Sequence, residues 1–247
     1  KENKKTKAEI ESKEHNMFTH FPKDPNCPMC QMCKTCRAQT RSKVHGAPDD
    51  LPSPKAFGDS LTDDHKVLNE EDKSRDLDQN ALVIADRYCS WLTGYPCKTK
   101  SGPETEYCFR RFLGPQVEPQ HVYTDNSKEF KSALSKLCPH GHDTSRTYRS
   151  QTNGVAERNV RKVKEGTSCA LYQSGLDQVW WGWAMSCFCF LHNVSDMLAE
   201  GMTPYCKRYG VDFDGPLIPF GAHIRYLPSR PDDQARLHAF GPKMLDG

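Results

Sequence analysis

The run from Ala81 to Cys97, ALVIADRYCSWLTGYPC, most narrows the folds open to this chain. ALVIADRY (81–88) and SWLTGYPC (90–97) are β-rich, of strand length and separated by very little chain, which predicts an antiparallel hairpin. From Gly102 onward the period changes. GPETEYCFRRFLG (102–114) is helical in pattern, HVYTD (121–125) is a short apolar strand, SKEFKSALSKL (127–137) is a helix with Ser127 as its cap, and DTSRTY (143–148) is another short strand. Asn153 to Gln173 carries Val155, Val163 and Ala170 among charges and is helical. Gln178 to about Asn193 is so aromatic that most of its surface must be buried. Strands first, then strand and helix in alternation, predict an α/β domain built on a mixed sheet.

At 247 residues the chain can hold one sizeable core plus smaller modules. Its most apolar segment, VWWGWAMSCFCFLHNV (179–194), is too short and too interrupted to span a bilayer. The chain begins at Lys1 without a methionine or an apolar leader and stops at PKMLDG with no closing element in view, so it reads as a piece of a longer polyprotein. Residues 1–20 read as a polar, Lys-rich helix, and RSKVHGAPDDLPSPKAF (41–57) reads as a linker, so a new domain is expected from near Lys55. After Tyr209 short strand-like pieces broken by proline and glycine suggest a small β module.

Net charge is only +2, but it is unevenly spread. Residues 1–55 hold 11 Lys/Arg against 7 Asp/Glu; Asp59 to Asp78 reverse this with 8 acidic and 3 basic residues; Thr144 to Glu165 return to 6 basic and 2 acidic. Acidic clusters hold metal and basic ones hold phosphate, although a charge run is more often simply a solvated face. Of the 12 cysteines, Cys27, Cys30, Cys33 and Cys36 recur at a constant period of three. The other eight are scattered through a chain with apolar residues enough for its own core, which makes a disulfide scaffold the weaker explanation. The run comes near the spacing of iron–sulfur ligation but lacks the final interval and proline. With His15 and His20 it also offers a ligand set for tetrahedral Zn²⁺.

Three acids stand out: one within FGDSLTDDH, Asp125 at the end of HVYTD, and Glu157 at a helix start in QTNGVAERNV. Carboxylates at strand ends and a helix N-terminus can converge and suit Mg²⁺. Taken singly, Asp125 is as well explained as a cap and Glu157 as a first-turn dipole partner. On a helix Glu157, Arg161 and Lys164 fall at i, i+4 and i+7 and share one face, which suits either a nucleic-acid backbone or an ordinary salt bridge.

These residues resemble the integrase region of retrotransposon and retroviral polyproteins, the DDE catalytic core of the RNase H-like fold. The resemblance rests on ALVIADRYCSWLTGYPCKTKS, on VYTDNSKEF, on YRSQTNGVAERNVRKVKEG, and on MTPYCKRYG and IPFGAHIRYLP, which look like segments after the core in copia-type elements. It implies a five-stranded mixed sheet with flanking helices over 55–200, a zinc-binding unit within 1–45, and a connector with the start of a β module over 201–247. It makes Asp125 the second and Glu157 the third catalytic carboxylate. For the first it favours Asp64, in TDDH, over Asp63 and Asp59; Asp63 would point to the opposite face of a strand.

The implied activity is trimming of element DNA ends and strand transfer into target DNA, with Mg²⁺ or Mn²⁺ on Asp64, Asp125 and Glu157. Arg158, Arg161, Lys164, Gln151 and Asn153 would contact DNA, with Gln151 to Gly154 as a mobile loop. Zn²⁺ would sit on His15, His20, Cys27 and Cys30, with Cys33 or Cys36 as substitutes. DNA, a homo-oligomer, no membrane, and a nuclear location are implied by the same resemblance. The chain departs from the family in having only 31 residues between Asp125 and Glu157, in a long acidic loop, KVLNEEDKSRDLDQN, and in only six residues between His20 and Cys27. An inactive nucleic-acid-binding remnant and an RNase H-like nuclease stay open as alternatives.

Overall fold

The computed structural model describes residues 14–34, 53–144 and 154–247. The first part of the expected N-terminal helix, Cys36, most of the expected linker, the end of the 143–148 strand, Gln151 and Asn153 lie outside the described residues.

The hairpin expected from ALVIADRY and SWLTGYPC forms one side of the sheet. Strands β2 (Asn80–Asp86) and β3 (Leu92–Cys97) pair antiparallel, with Leu82 opposite Tyr95 and Ile84 opposite Thr93. Strand β1 (Ser60–Val67) lies antiparallel on the other side of β2, and β4 (His121–Thr124) and β5 (His142–Thr144) continue in parallel, giving the order β3-β2-β1-β4-β5. This is the mixed five-stranded sheet with flanking helices that the sequence led us to expect.

Every residue of β2 is buried, because both faces of the sheet are covered. The period-two alternation divides them. Leu82 and Ile84 join Leu61 and Val122 against Phe109 and Phe112 of α2 (Gly102–Leu113) and Phe130 and Leu134 of α3 (Lys128–Leu137). Ala81, Val83 and Ala85 face Val163 of α4 (Gly154–Ser174) and Trp181, Met185 and Phe188 of α5 (Trp181–Ser195). Each fully buried Leu, Ile or Phe contributes about 1.5–3 kcal/mol, so the two layers hold the sheet from both sides. Gly166 lets α4 approach α5 closely: a Cβ there would lie 2.1 Å from the Phe188 ring.

Helix α2 starts as its sequence predicts, with Ser101 accepting from the Glu104 amide. Helix α3 does not. Ser127 occupies the cap position, but its hydroxyl makes no capping bond; the carboxylate of Asp125 instead accepts from the Ser127 amide at 3.0 Å. The acidic loop between β1 and β2 is a tethered insertion. Trp181 donates to the Asp72 carbonyl at 2.9 Å, Trp183 to the Asp76 carboxylate at 2.7 Å, and Ser74 to Asp78 at 2.7 Å.

Residues 14–34 differ from the expected helix over 1–20. His15 to Phe21 form a turn, with Asn16 donating to Ser195 and to Asp196 at 2.8 Å each, and the short helix α1 (Pro28–Cys33) comes after it. Asn16 thus spends its side chain on the bonds to Ser195 and Asp196, which holds this segment as a turn instead of a helix. After α5 come α6 (Pro204–Tyr209), capped by Thr203, and an antiparallel pair, β6 (Arg225–Tyr226) and β7 (Leu245–Asp246), flanking the short α7 (Pro231–Gln234). Among the described residues no helix is long and apolar enough to cross a membrane.

Candidate active site and metal centre

Register decides which of the β1 acids meet the others. Directly opposed residues in an antiparallel pair share a face. Asp64 lies opposite Val83, whose side chain belongs to the α4/α5 layer, and Asp63 lies opposite Ile84, which belongs to the α2/α3 layer. In the parallel pair Leu61 is level with Val122, so alternation along β4 puts Asp125, just past its end, on the Asp64 side. Glu157 sits exposed in the first turn of α4, the helix that covers this face.

Asp125 and Glu157 are close enough to Asp64 to act on it. Burial, then the charge of Asp125 and more weakly that of Glu157, pushes the Asp64 carboxyl up to about 6. None of the three is in a salt bridge among the described residues. A partly buried acid whose proton affinity is raised by two neighbouring carboxylates, with no salt bridge to any of the three among the described residues, forms with them a donor set suited to a divalent cation.

The alternatives for the first acid sit elsewhere. Asp59 precedes β1 and accepts from the amides of Lys55 and Ala56 at 2.7 and 2.8 Å, an ordinary turn. Asp63 is 1% exposed, and neither oxygen has a hydrogen-bond partner among the described residues. Burial, then Asp64 and Asp125, drives its carboxyl well above the usual carboxylate range.

Two further residues neighbour this centre. Lys100, where β3 leads into α2, is near enough to favour ionisation of Asp64 and of Glu129, yet it forms no ion pair among the described residues. His65 lies against Phe130 at 4.6 Å and bonds Thr105 at 3.3 Å; burial, then Lys100, lowers it to about 4, so it is neutral. The proximity of Lys100 to Asp64 is created by the fold, which no local pattern encodes, whereas His65 simply follows Asp64 in β1.

Along α4, Arg158, Arg161 and Lys164 are exposed. Lys164 borders a groove of about 860 Å³ between α4 and the β1–β2 connection, where it meets Lys66, which alternation places on the Asp64 side of β1. Among the described residues Glu157 and Arg161 do not form a salt bridge.

The second cluster is at the N-terminal unit. His15, His20, Cys27 and Cys30 bring one ligand atom each within 4.8 Å of one another. His20 Nδ1 lies 3.4 Å from His15 Nε2 and 3.5 Å from Cys27 Sγ. Ligands about 2.0–2.3 Å from a tetrahedral zinc stand about 3.3–3.8 Å apart, so these separations fit that ion. The remaining ring nitrogens are occupied: His15 Nδ1 bonds the Pro22 carbonyl at 2.8 Å and His20 Nε2 the Gln173 side chain at 3.2 Å. Cys33 is not part of the set. It is turned toward Cys169 of α4, with which its thiol is hydrogen-bonded.

No family model matches the chain. No curated protein matches it. Among solved structures, the catalytic core domain of BIV integrase is similar at 19% identity and a TM-score of 0.47, over 62% of this chain and 95% of that one. The catalytic core domain of HTLV-2 integrase, solved with magnesium in a trimeric form, has the same identity and TM-score over 62% of this chain and 98% of that one. What this chain can do chemically is set by the side chains of its two clusters.

Proposed function

We propose that the protein is a retroelement integrase of the DDE type, with Asp64, Asp125 and Glu157 as its catalytic carboxylates. The observation that carries this reading is the approach of three acids, none in a salt bridge among the described residues, at one sheet face, with Asp64 pushed up to about 6 by burial and by its neighbours. Mg²⁺ or Mn²⁺ held there would activate a hydroxyl and stabilise the leaving oxygen of a phosphodiester.

The chain's own part is positioning. Asp64 is set by the register of β1, and Asp125 is fixed by its bond to the Ser127 amide, while Glu157 is carried on a helix packed across the sheet. Lys100 lies near Asp64, where it would hold a phosphate without neutralising the carboxylate by direct pairing, and Lys66 and Lys164 line the groove beside α4, where they would extend the same contacts. Arg158 and Arg161 would extend the backbone contacts along α4, and Gln151 and Asn153, just before it in sequence, would add to them. His15, His20, Cys27 and Cys30 would hold Zn²⁺ as a folding element. A nuclear site of action, assembly as a homo-oligomer on DNA, and the boundaries 1–45, 55–200 and 201–247 belong to the same proposal.

The test is a Mg²⁺-dependent reaction of the full chain on labelled oligonucleotide ends, comparing wild type with Glu157→Gln. Strand-transfer product from wild type alone supports the reading. Cleavage without transfer assigns a nuclease, and binding without product assigns a remnant whose core still folds.

A further inference from the structure

The zinc ligands do not stand apart from the catalytic layer. Thr19 donates to Asp196 at 2.5 Å, and Asn16 donates to the same carboxylate at 2.8 Å, just past the C-terminus of α5. Phe21 packs on Phe188 at 6.1 Å and belongs to the α4/α5 core layer. Lys34, 1% exposed, donates to the carbonyl of His20 at 2.8 Å and lies over the Phe21 ring. The decisive contact is between His20, itself 1% exposed, and Gln173, near the C-terminal end of α4.

Neutral imidazole carries one proton, and the nitrogen that keeps it cannot bind a metal. With Gln173 Oε1 accepting from His20 Nε2–H, the lone pair is left on Nδ1, the nitrogen that faces His15 and Cys27. The ring of His15 is fixed in the same manner by the Pro22 carbonyl, but that partner is local backbone, whereas Gln173 lies 153 residues away on the helix that bears Glu157.

We propose that Gln173 is a positioning residue of the zinc site, holding His20 in its metal-binding tautomer, so that zinc occupancy stabilises α4 and the core together. This rests on the zinc reading of the same four ligands and deepens it. Outer partners of ligating histidines are generally worth about 10–100-fold in metal affinity. Gln173 is exposed, and water can partly replace it, so a loss near the lower end, about tenfold, is expected on its removal.

The experiment titrates zinc into the full chain against a chromophoric chelator, for wild type, Gln173→Ala and Gln173→Glu. Urea unfolding is monitored in parallel by fluorescence of the four tryptophans, Trp91, Trp180, Trp181 and Trp183, all within the sheet-and-helix domain. Expected are about tenfold weaker binding by Gln173→Ala, affinity near wild type for Gln173→Glu, which keeps the acceptor, and a zinc-dependent rise in the wild-type unfolding midpoint that shrinks in Gln173→Ala. Wild-type affinity in Gln173→Ala would overturn the proposal, as would a zinc-free midpoint lowered enough to account for the whole effect. A wild type that binds no zinc would overturn the zinc reading itself, whereas zinc bound without any dependence on Gln173 would overturn this inference alone.

Discussion

Replacing Asp64 by Asn should stabilise the metal-free protein, and only at a pH where the carboxyl has to ionise. Burial and the charges of Asp125 and Glu157 lift the Asp64 carboxyl from an ordinary 3.8 to about 6. A group with a raised native pKa binds its proton more tightly when folded, so its contribution is complete below about pH 4 and is lost as pH rises through about 6. The gap of about two pH units corresponds to about 3 kcal/mol at 1.36 kcal/mol per unit. Asp64 is only partly buried, and solvent screening reduces this to about 1–2 kcal/mol. Asparagine has nothing to ionise. Urea unfolding of wild type and Asp64→Asn should therefore give a difference that is small near about pH 4 and grows to about 1–2 kcal/mol in favour of the variant above about pH 7. Millimolar Mg²⁺ should stabilise wild type and narrow that gap, because the cation takes over the role of the proton. A difference that does not change with pH, or a variant less stable at neutral pH, would refute the electrostatic account of the cluster.

Asp63→Val should also stabilise the protein at neutral pH, by about 1–2 kcal/mol in urea melts, because it removes a buried carboxyl without partners and adds a strand-forming side chain. Gly166→Ala should destabilise by about 1–3 kcal/mol despite its better helix propensity, because the new methyl meets Phe188; a smaller residue at 188 should recover part of the loss in a double-mutant cycle.

The sheet was legible because β2 and β3 carry strand-length β-rich runs and the later elements alternate in period, so neighbouring pieces specify their own type. The N-terminal unit was less so. The Lys-rich run to Phe18 has helical composition, but Asn16 and Thr19 are bound to Asp196, a partner about 180 residues later that local propensity does not register. The ambiguity among Asp59, Asp63 and Asp64 had the same origin: the residue types are equivalent, and only pairing with Ile84 and Val83 separates the faces. The four evenly spaced cysteines looked alike in sequence, yet Cys27 and Cys30 face the two histidines while Cys33 faces Cys169. Lys100 and Gln173 were invisible because a single polar residue on a surface helix or turn carries no period.

If the acids on one face of the sheet perform the chemistry and the acid on the other does not, four single substitutions must divide three to one. Strand transfer by Asp64→Asn, Asp125→Asn and Glu157→Gln should be measured beside Asp63→Asn in one Mg²⁺ assay. Product is expected from Asp63→Asn and none from the other three. Full activity in Asp64→Asn, with loss in Asp63→Asn, would put the reacting metal on the opposite face and end this reading.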